Sequence, residues 1–198
     1  MIIESIFPSP IGIFNLGRDL SNDEVSFLSS LEKEQSLFNS SSQNRYVLKN
    51  DALNSLTTFI DESILQYFKT IYDPKSEVSP YITQSWVNFN DRGQSHHLHN
   101  HSNSFISGVF YIQIDQDDGI IFHNLENKPL VISPNVYNTF NSLSWKIIVK
   151  NWDLILFPSA LFHSVNPNIN NQCRISLSFN TYLKGTVGDS RFSNELVF

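Results

Sequence analysis

Between Tyr81 and Tyr182 the sequence is divided into short runs of β-branched and aromatic residues that are separated by turn residues. Six of these runs predict strands, at 82–89, 104–114, 119–123, 145–149, 154–157 and 173–182. Asp117-Asp118-Gly119 and residues 167–171 are strong turn signals. Strands so short and so closely spaced exclude βαβ units, and they indicate a jelly-roll sandwich or barrel.

The first eighty residues have a helical pattern instead. Ser21 and Glu24 form a capping box that predicts a helix to about Gln35, and residues 40–44 predict a polar break. Apolar residues from Leu53 to Ile71 recur at helical spacing and predict a long helix that packs on the sheet. We therefore expect a mainly β (α+β) single domain over residues 1–198, with a helical buttress at 1–80, a β core at 81–185 and a tail at 186–198.

Composition restricts the possible partners. The chain of 198 residues is 40% hydrophobic, so it has enough apolar side chains for a sizeable core. Its net charge of -6 disfavours non-specific binding to nucleic acid and to anionic membranes. Cys173 is the single cysteine, which excludes an intramolecular disulfide and a cysteine-rich zinc site. Because the sequence has neither a signal-peptide pattern nor a membrane span, we expect a cytoplasmic protein.

Four of the six histidines fall within six residues: His96, His97, His99 and His101. On an extended strand, residues i and i+2 face the same side, so His99 and His101 can point into a barrel together. Two imidazoles need one or two further ligands to hold a metal ion. The cluster by itself is also compatible with a histidine-rich surface loop.

A second feature supplies a histidine and an arginine further along the chain. The apolar segment DLILF is followed by a turn and by His163, and RISLSF begins at Arg174. Arg174 and Ser176 share one face of their strand, and an inward-facing arginine is costly unless it meets an anion. A guanidinium beside a hydroxyl suits a carboxylate. The alternative is an arginine on the outer face or rim of the sheet.

Taken together, three blocks resemble the 2-oxoglutarate-dependent Fe(II) oxygenases. They are HxH followed after five residues by SGVFYI, then DLILFPSALFHSVNPN, then RISLSFN. The resemblance covers roughly residues 85–182, and it is strongest to the prolyl-hydroxylase-like branch common in marine bacteria and their phages. It implies a double-stranded β-helix, a cupin-like jelly roll, that binds Fe(II), takes 2-oxoglutarate as cosubstrate and uses O2. If the chain is phage-encoded, its compartment is the host cytoplasm.

The resemblance also assigns residues. It makes His99 the first metal ligand and His163 the distal one. It implies that Arg174 binds the remote carboxylate of 2-oxoglutarate, that Ser176 assists, and that Tyr111 donates a hydrogen bond to the same carboxylate. Two residues on one face of the preceding strand become candidates for the pocket wall, Trp86 and Asn88.

One position departs from the wider family, whose HxD/E motif supplies a carboxylate. His101 stands there, as in the HxH form of the nearest branch, and a neutral ligand leaves the metal site one positive charge higher. Three alternatives stay open: His101 is a third ligand, Asp91 or another carboxylate substitutes for it, or the site is degenerate or takes a different metal. The spacing to SG disfavours the shifted pair of His97 and His99.

The remaining histidines receive other roles. We expect His96 and His97 to line the entrance or to face solvent, and His123 to be structural.

The function that the resemblance implies is hydroxylation of a small-molecule or peptide substrate, such as a prolyl or other amino-acid residue, with release of succinate and CO2. We expect the loop at 124–144 to set the substrate. The alternative from another class is a non-catalytic, cupin-like module that binds a metal or a small acid or has a structural role. Oxidation of a nucleobase is a third alternative, which the acidic balance disfavours. A homodimer, and a C-terminal tail that covers the site or contacts a partner, are left open.

Overall fold

A computed structural model describes residues 1–125, 130 and 132–198. Part of the loop that we expect to set the substrate, residues 126–129 and 131, therefore lies outside the described residues. The strands of the described part are, in chain order, β1 (Gly12–Asn15), β2 (Lys33–Gln35), β3 (Ser40–Ser42), β4 (Val78–Asn90), β5 (His96–His99), β6 (Ile106–Gln113), β7 (Gly119–His123), β8 (Ser144–Ile148), β9 (Asp153–Pro158), β10 (His163–Val165), β11 (Arg174–Val187) and β12 (Leu196–Val197).

These strands form two antiparallel sheets. The major sheet has the order β1-β9-β6-β11-β4-β3-β2, with β12 added beside the end of β11, and the minor sheet has the order β5-β10-β7-β8. Each of the six predicted runs overlaps one strand, although the bounds differ by up to five residues, and the two-sheet arrangement confirms the jelly-roll prediction.

The helices differ in how well the sequence predicted them. The predicted capping box is present at the start of α1 (Asn22–Ser29), but this helix ends at Ser29, so the prediction of a helix to about Gln35 is wrong. Residues 32–35 offer no apolar side chain for a helix to bury, and β2 instead pairs with β3. The predicted polar break at 40–44 is also wrong, because β3 pairs with β4 in the major sheet.

The long helix α2 (Asn54–Tyr72) is confirmed. Its apolar face packs on the outer face of the major sheet, where alternate residues of the strands point away from the minor sheet. Fully buried members of this outer core include Leu56, Ile60, Phe110, Leu156 and Phe179.

The inner face of the major sheet is divided into an apolar half and a polar half. On β9, Ile155 and Phe157 alternate with outward-facing residues and form a second core with Tyr111 and residues of the minor sheet. On β11, by contrast, the residues that alternate with the buried Leu177 and Phe179 are polar. The space between the sheets therefore has a wall of polar side chains on β11 and β4, and the candidate site is built there.

The C-terminal tail folds back on the body of the protein. Leu196 and Val197 of β12 pair with Val187 and Thr186 at the end of β11, the end opposite to Arg174. None of the helices in the described part of the chain has the length and apolar character that crossing a membrane requires.

Candidate metal centre and cosubstrate pocket

His99 and His163 face each other across the minor sheet. They are cross-strand partners between β5 and β10, and their ring centroids lie 4.2 Å apart. The next residues of the same row are Phe122 on β7 and Trp145 on β8. Antiparallel partners point to the same face of a sheet, so all four side chains face the space between the sheets.

Hydrogen bonds fix which nitrogen of each of these two rings is free. Nδ1 of His99 lies 2.7 Å from the carbonyl oxygen of His97, and Nδ1 of His163 lies 3.0 Å from that of Leu161. Because a carbonyl oxygen only accepts, each Nδ1 carries the proton and donates it. The lone pair of each Nε2 is therefore available to a metal ion, as is usual for ligating histidines.

His101 completes a group of three. One ring nitrogen of each of His99, His101 and His163 lies within 4.8 Å of the other two. β5 ends at His99, so His101 lies just beyond the strand, where its backbone N–H donates to the carbonyl oxygen of Ser159 at 2.9 Å. The sequence predicted that these side chains would meet, although the strand that carries His99 stops before His101.

Burial keeps the three imidazoles neutral. It lowers the pKa of His163 to about 3, with repulsion from the neighbouring histidines adding to the effect and the hydrogen bond to Leu161 opposing it. Burial, together with His99, lowers the pKa of His101 to about 4, and burial also lowers the pKa of His99. Neutral imidazole is the form that binds a metal ion, so no proton has to leave near neutral pH.

Carboxylates are absent from this group. Among the residues that the structure describes, no aspartate or glutamate joins the three histidines. Asp91, considered above as a substitute ligand, is exposed in the turn after β4, where its backbone N–H donates to Gln94.

The remaining histidines have different environments. His97 is exposed, and His123 is hydrogen-bonded to the Ser164 hydroxyl at 2.8 Å. For His96, the solvent-facing alternative is wrong, and the position at the entrance stays a prediction. Its ring is half-buried and stacks on His99 at 4.4 Å, and its buried Nδ1 has no hydrogen-bond partner among the described residues.

Arg174 lies on the polar wall and is only 6% exposed. Its guanidinium donates to Asp118 Oδ1 at 3.0 Å and to the carbonyl oxygen of Asn166 at 3.1 Å. A guanidinium has five N–H groups, so most of its donors are not used by these two bonds. Arg174 therefore faces inward, as predicted, and is not on the outer rim of the sheet.

The other predicted pocket residues surround Arg174 in register. Ser176 is the cross-strand partner of both Asn88 and Tyr111, so their three side chains share the inner face with Arg174. Asn88 donates to the Ser178 hydroxyl at 2.9 Å. The ring of Trp86 lies 6.1 Å from that of His101. Trp86 pairs with Ser178, which lies four residues along β11 from Arg174, so Trp86 is at the histidine end of the polar wall.

Sequence reasoning missed Asp118. It was interpreted as part of the turn before β7, and an Asp-Asp-Gly turn carries no local signal that one of its carboxylates will meet an arginine. The ion pair joins the start of β7 in the minor sheet to the start of β11 in the major sheet. This carboxylate is 15% exposed, which makes the pair nearly buried.

The pocket fits a metal ion and a dicarboxylate on three observations of this structure. Three neutral imidazoles form a donor set suited to Fe(II). The hydroxyl of Tyr111, a residue only 3% exposed, has no hydrogen-bond partner among the described residues, and neither has the hydroxyl of Ser176. Burial raises the pKa of Tyr111, so its hydroxyl stays protonated and can donate to an anion beside Arg174.

Comparison with known proteins agrees with this geometry. A model of a 2OG-Fe(II) oxygenase family matches residues 84–180, about half of the chain, and this segment holds the three histidines and Arg174. No curated protein matches the chain significantly.

Several solved structures share the fold. An oxidoreductase of the 2OG-Fe(II) oxygenase family from Burkholderia pseudomallei is 13% identical, with a TM-score of 0.57 over 79% of this chain and 74% of that one. HygX from Streptomyces hygroscopicus, with nickel, 2-oxoglutarate and hygromycin B bound, is 12% identical, with a TM-score of 0.61 over 87% and 82%. A prolyl hydroxylase from Trichoplax adhaerens, in complex with a peptide fragment of the hypoxia inducible factor oxygen degradation domain, is 14% identical, with a TM-score of 0.59 over 87% and 83%.

Identities this low establish a shared fold only, and the family assignment comes from the match over residues 84–180. The chain therefore belongs to the 2OG-Fe(II) oxygenase family and is an Fe(II)- and 2-oxoglutarate-dependent dioxygenase.

Proposed function

We propose that this dioxygenase hydroxylates a prolyl or other amino-acid residue with O2 as the oxidant: one oxygen atom enters the substrate and the other enters succinate as 2-oxoglutarate loses CO2. The observation that carries the proposal is the presence of three metal-competent histidines and one buried, inward-facing arginine between the same two sheets. When bound, the metal and 2-oxoglutarate supply the oxidising chemistry, and the protein supplies binding and orientation.

The polar wall supports a binding mode for 2-oxoglutarate. Trp86, beside His101, pairs with Ser178 of β11, and Arg174 lies four residues before Ser178 on the same strand, roughly 13 Å away at the usual rise of a strand. The arginine side chain and a five-carbon diacid can bridge that separation together. Arg174, Ser176 and Tyr111 would then hold the remote carboxylate, and His99, His101 and His163 would hold the metal.

The minor sheet supports a substrate with an apolar ring. Trp145 continues the row of His99, His163 and Phe122 outward, and it is 42% exposed although it points to the same face. A partly exposed indole in line with the metal ligands offers a flat surface on which a pyrrolidine or aromatic ring can stack. Solved structures of this fold bind a peptide in one case and hygromycin B in another, and we take the peptide class here because Trp145 offers a stacking surface.

An anaerobic titration tests the cofactor assignment. Fe(II) is added to the metal-free protein and then 2-oxoglutarate, and the weak visible charge-transfer band of the chelate is followed. We expect the band to appear, to disappear on admission of air, and to leave succinate in proportion. Binding of iron without the band would contradict the assignment of Arg174 and the three-histidine site to this chemistry.

The substrate is then sought among prolyl peptides and small amino compounds. Mass spectrometry would detect the gain of one oxygen atom, and succinate release above the level without substrate would measure coupling. We expect peptides to be modified and Trp145→Ala to raise their KM. Turnover of small compounds alone would contradict the proposed peptide substrate while leaving the dioxygenase assignment intact.

A further inference from the structure

Asp118 holds Arg174 from the opposite sheet. Its Oδ1 accepts from Arg174 at 3.0 Å and also from the backbone N–H of Gly119 at 2.8 Å. The backbone of Asp118 is itself fixed, because its N–H donates to Asp115 and its carbonyl accepts from Val149. The carboxylate is therefore a rigid acceptor that belongs to the turn between β6 and β7.

A second acceptor holds the same guanidinium from a different loop. The carbonyl oxygen of Asn166, which follows β10, accepts from the other terminal nitrogen of Arg174 at 3.1 Å. Arginine has several rotatable bonds, so an inward-facing guanidinium without such partners would sample many positions. Asp118 and Asn166 restrict it to one position and leave further N–H groups available for the inner face that carries Ser176 and Tyr111.

We propose that Asp118 is the positioning residue for the 2-oxoglutarate anchor. It fixes the guanidinium of Arg174 so that the remaining N–H groups meet the remote carboxylate of the cosubstrate. The inference rests on the proposed function, because it takes Arg174 to be that anchor. Asp118 touches neither metal nor substrate in this proposal, and it acts through Arg174 alone.

The proposal makes geometry more important than charge. In Asp118→Asn the amide oxygen can still accept from Gly119 and Arg174, so the guanidinium keeps its position. In Asp118→Ala both bonds are lost, and in Asp118→Glu the charge is kept but the longer side chain moves the acceptor. Affinity for 2-oxoglutarate should therefore be retained in Asp118→Asn and should fall by about tenfold or more in Asp118→Ala and Asp118→Glu. Losses of this size are common when a residue that holds a binding group in place is changed.

The test is equilibrium binding to the nickel-loaded protein, measured by calorimetry without turnover. Two ligands are compared, 2-oxoglutarate and 2-oxobutyrate, which has the same keto-acid end and lacks the remote carboxylate. The expected result is a loss of 2-oxoglutarate affinity in Asp118→Ala and Asp118→Glu with unchanged binding of 2-oxobutyrate and of nickel. Asp117→Asn is the matched control, since this neighbour is exposed and the change removes the same charge.

The outcomes separate the two proposals. If the unchanged protein does not prefer 2-oxoglutarate over 2-oxobutyrate, the proposed function fails, and this inference fails with it. If the preference exists and Arg174→Ala abolishes it, but Asp118→Glu and Asp118→Ala keep it, only the positioning role is overturned. Should Asp118→Ala not fold, the contrast between Asp118→Asn and Asp118→Glu still decides, because retention in both variants contradicts the proposal.

Discussion

His99 and His163 are cross-strand partners whose ring centroids lie 4.2 Å apart, although 64 positions of sequence separate them. The pairing of β5 with β10 is short, and its register shifts between His163 and Val165. The two candidate ligands are therefore fixed by the strand register and by hydrogen bonds to Leu161 and His97, and no flexible loop has to bring them together.

This arrangement predicts how metal affinity depends on each histidine. We expect His99→Ala, His101→Ala and His163→Ala each to weaken anaerobic Fe(II) or Ni(II) binding by at least about 100-fold. Changing a residue that only hydrogen-bonds to a metal ligand already lowers metal affinity about 10–100-fold, and loss of a ligand should cost more. His97→Ala is the control, since its ring is exposed and does not belong to the group of three, although it lies 5.0 Å from the His99 ring, and the change keeps the backbone carbonyl that accepts from His99. Undiminished affinity in His101→Ala would favour the open alternative of a carboxylate ligand from elsewhere.

A different signature is expected for Tyr111→Phe. The Tyr111 hydroxyl has no partner among the described residues, so its removal should leave the free energy of unfolding unchanged or raise it slightly. If the hydroxyl donates to 2-oxoglutarate, the same change weakens cosubstrate binding by about 2- to 12-fold, which corresponds to one hydrogen bond of about 0.5–1.5 kcal/mol. Thermal unfolding and calorimetric titration measure the two effects separately. A loss of stability without a loss of affinity would contradict this role.

The fold was predictable wherever burial imposes a pattern. Leu177 and Phe179 alternate with polar residues on β11, and this alternation was readable in RISLSF before the structure was known. The strands β2 and β3 were not predicted, because neither segment contains an apolar residue, and both are strands only through backbone pairing to their neighbours.

The placement of the candidate site residues was predictable in part. His99, His101, His163 and Arg174 were predicted from a spacing that resembles a family pattern, and the structure brings the three histidines together and buries Arg174. Asp118 could not be predicted, because its importance comes from a contact with Arg174 across 56 positions of sequence that no local pattern encodes.

A close contact in the outer core gives a prediction about stability. Gly108, in the SGVFYI block, faces Phe179 and Leu156 on the neighbouring strands, and an added Cβ would overlap with both side chains. We expect Gly108→Ala to lower the free energy of unfolding by about 1–3 kcal/mol through overpacking. Denaturant titration measures this loss, and a variant as stable as the unchanged protein would show that the Phe179 ring can move aside. Gly93→Ala is the comparison, because a Cβ at this position would meet no other atom. Its left-handed backbone alone should lower the free energy of unfolding, by about 1–2 kcal/mol.

The last prediction concerns acid stability and the capping box of α1. Glu24 is 1% exposed and accepts from both terminal nitrogens of Arg18 at 2.8 Å and from the backbone N–H of Ser21 at 2.7 Å. The hydrogen bonds from Arg18 lower the pKa of Glu24 despite its burial, and those from Ser21 assist. A lowered pKa means that the folded state favours the ionised form more than the unfolded state does. The stabilisation is therefore complete above the ordinary glutamate pKa of about 4.3 and is lost as the pH falls through the lower folded value.

Glu24→Gln removes this ionisation, and we expect it to lower the free energy of unfolding at pH 7 by about 1.5–3 kcal/mol. The lower end of that range is favoured because Arg18 is 36% exposed and solvent screens the ion pair. The difference between the variant and the unchanged protein should begin to shrink below about pH 4.3, where the glutamate of the unfolded state becomes protonated, and should keep shrinking until the pH has fallen through the lower folded value. Asp23→Asn, an exposed neighbour, removes the same charge and should change stability little. Urea titrations between acidic and neutral pH would measure the difference, and a constant difference across that range would contradict a role for the Glu24 charge.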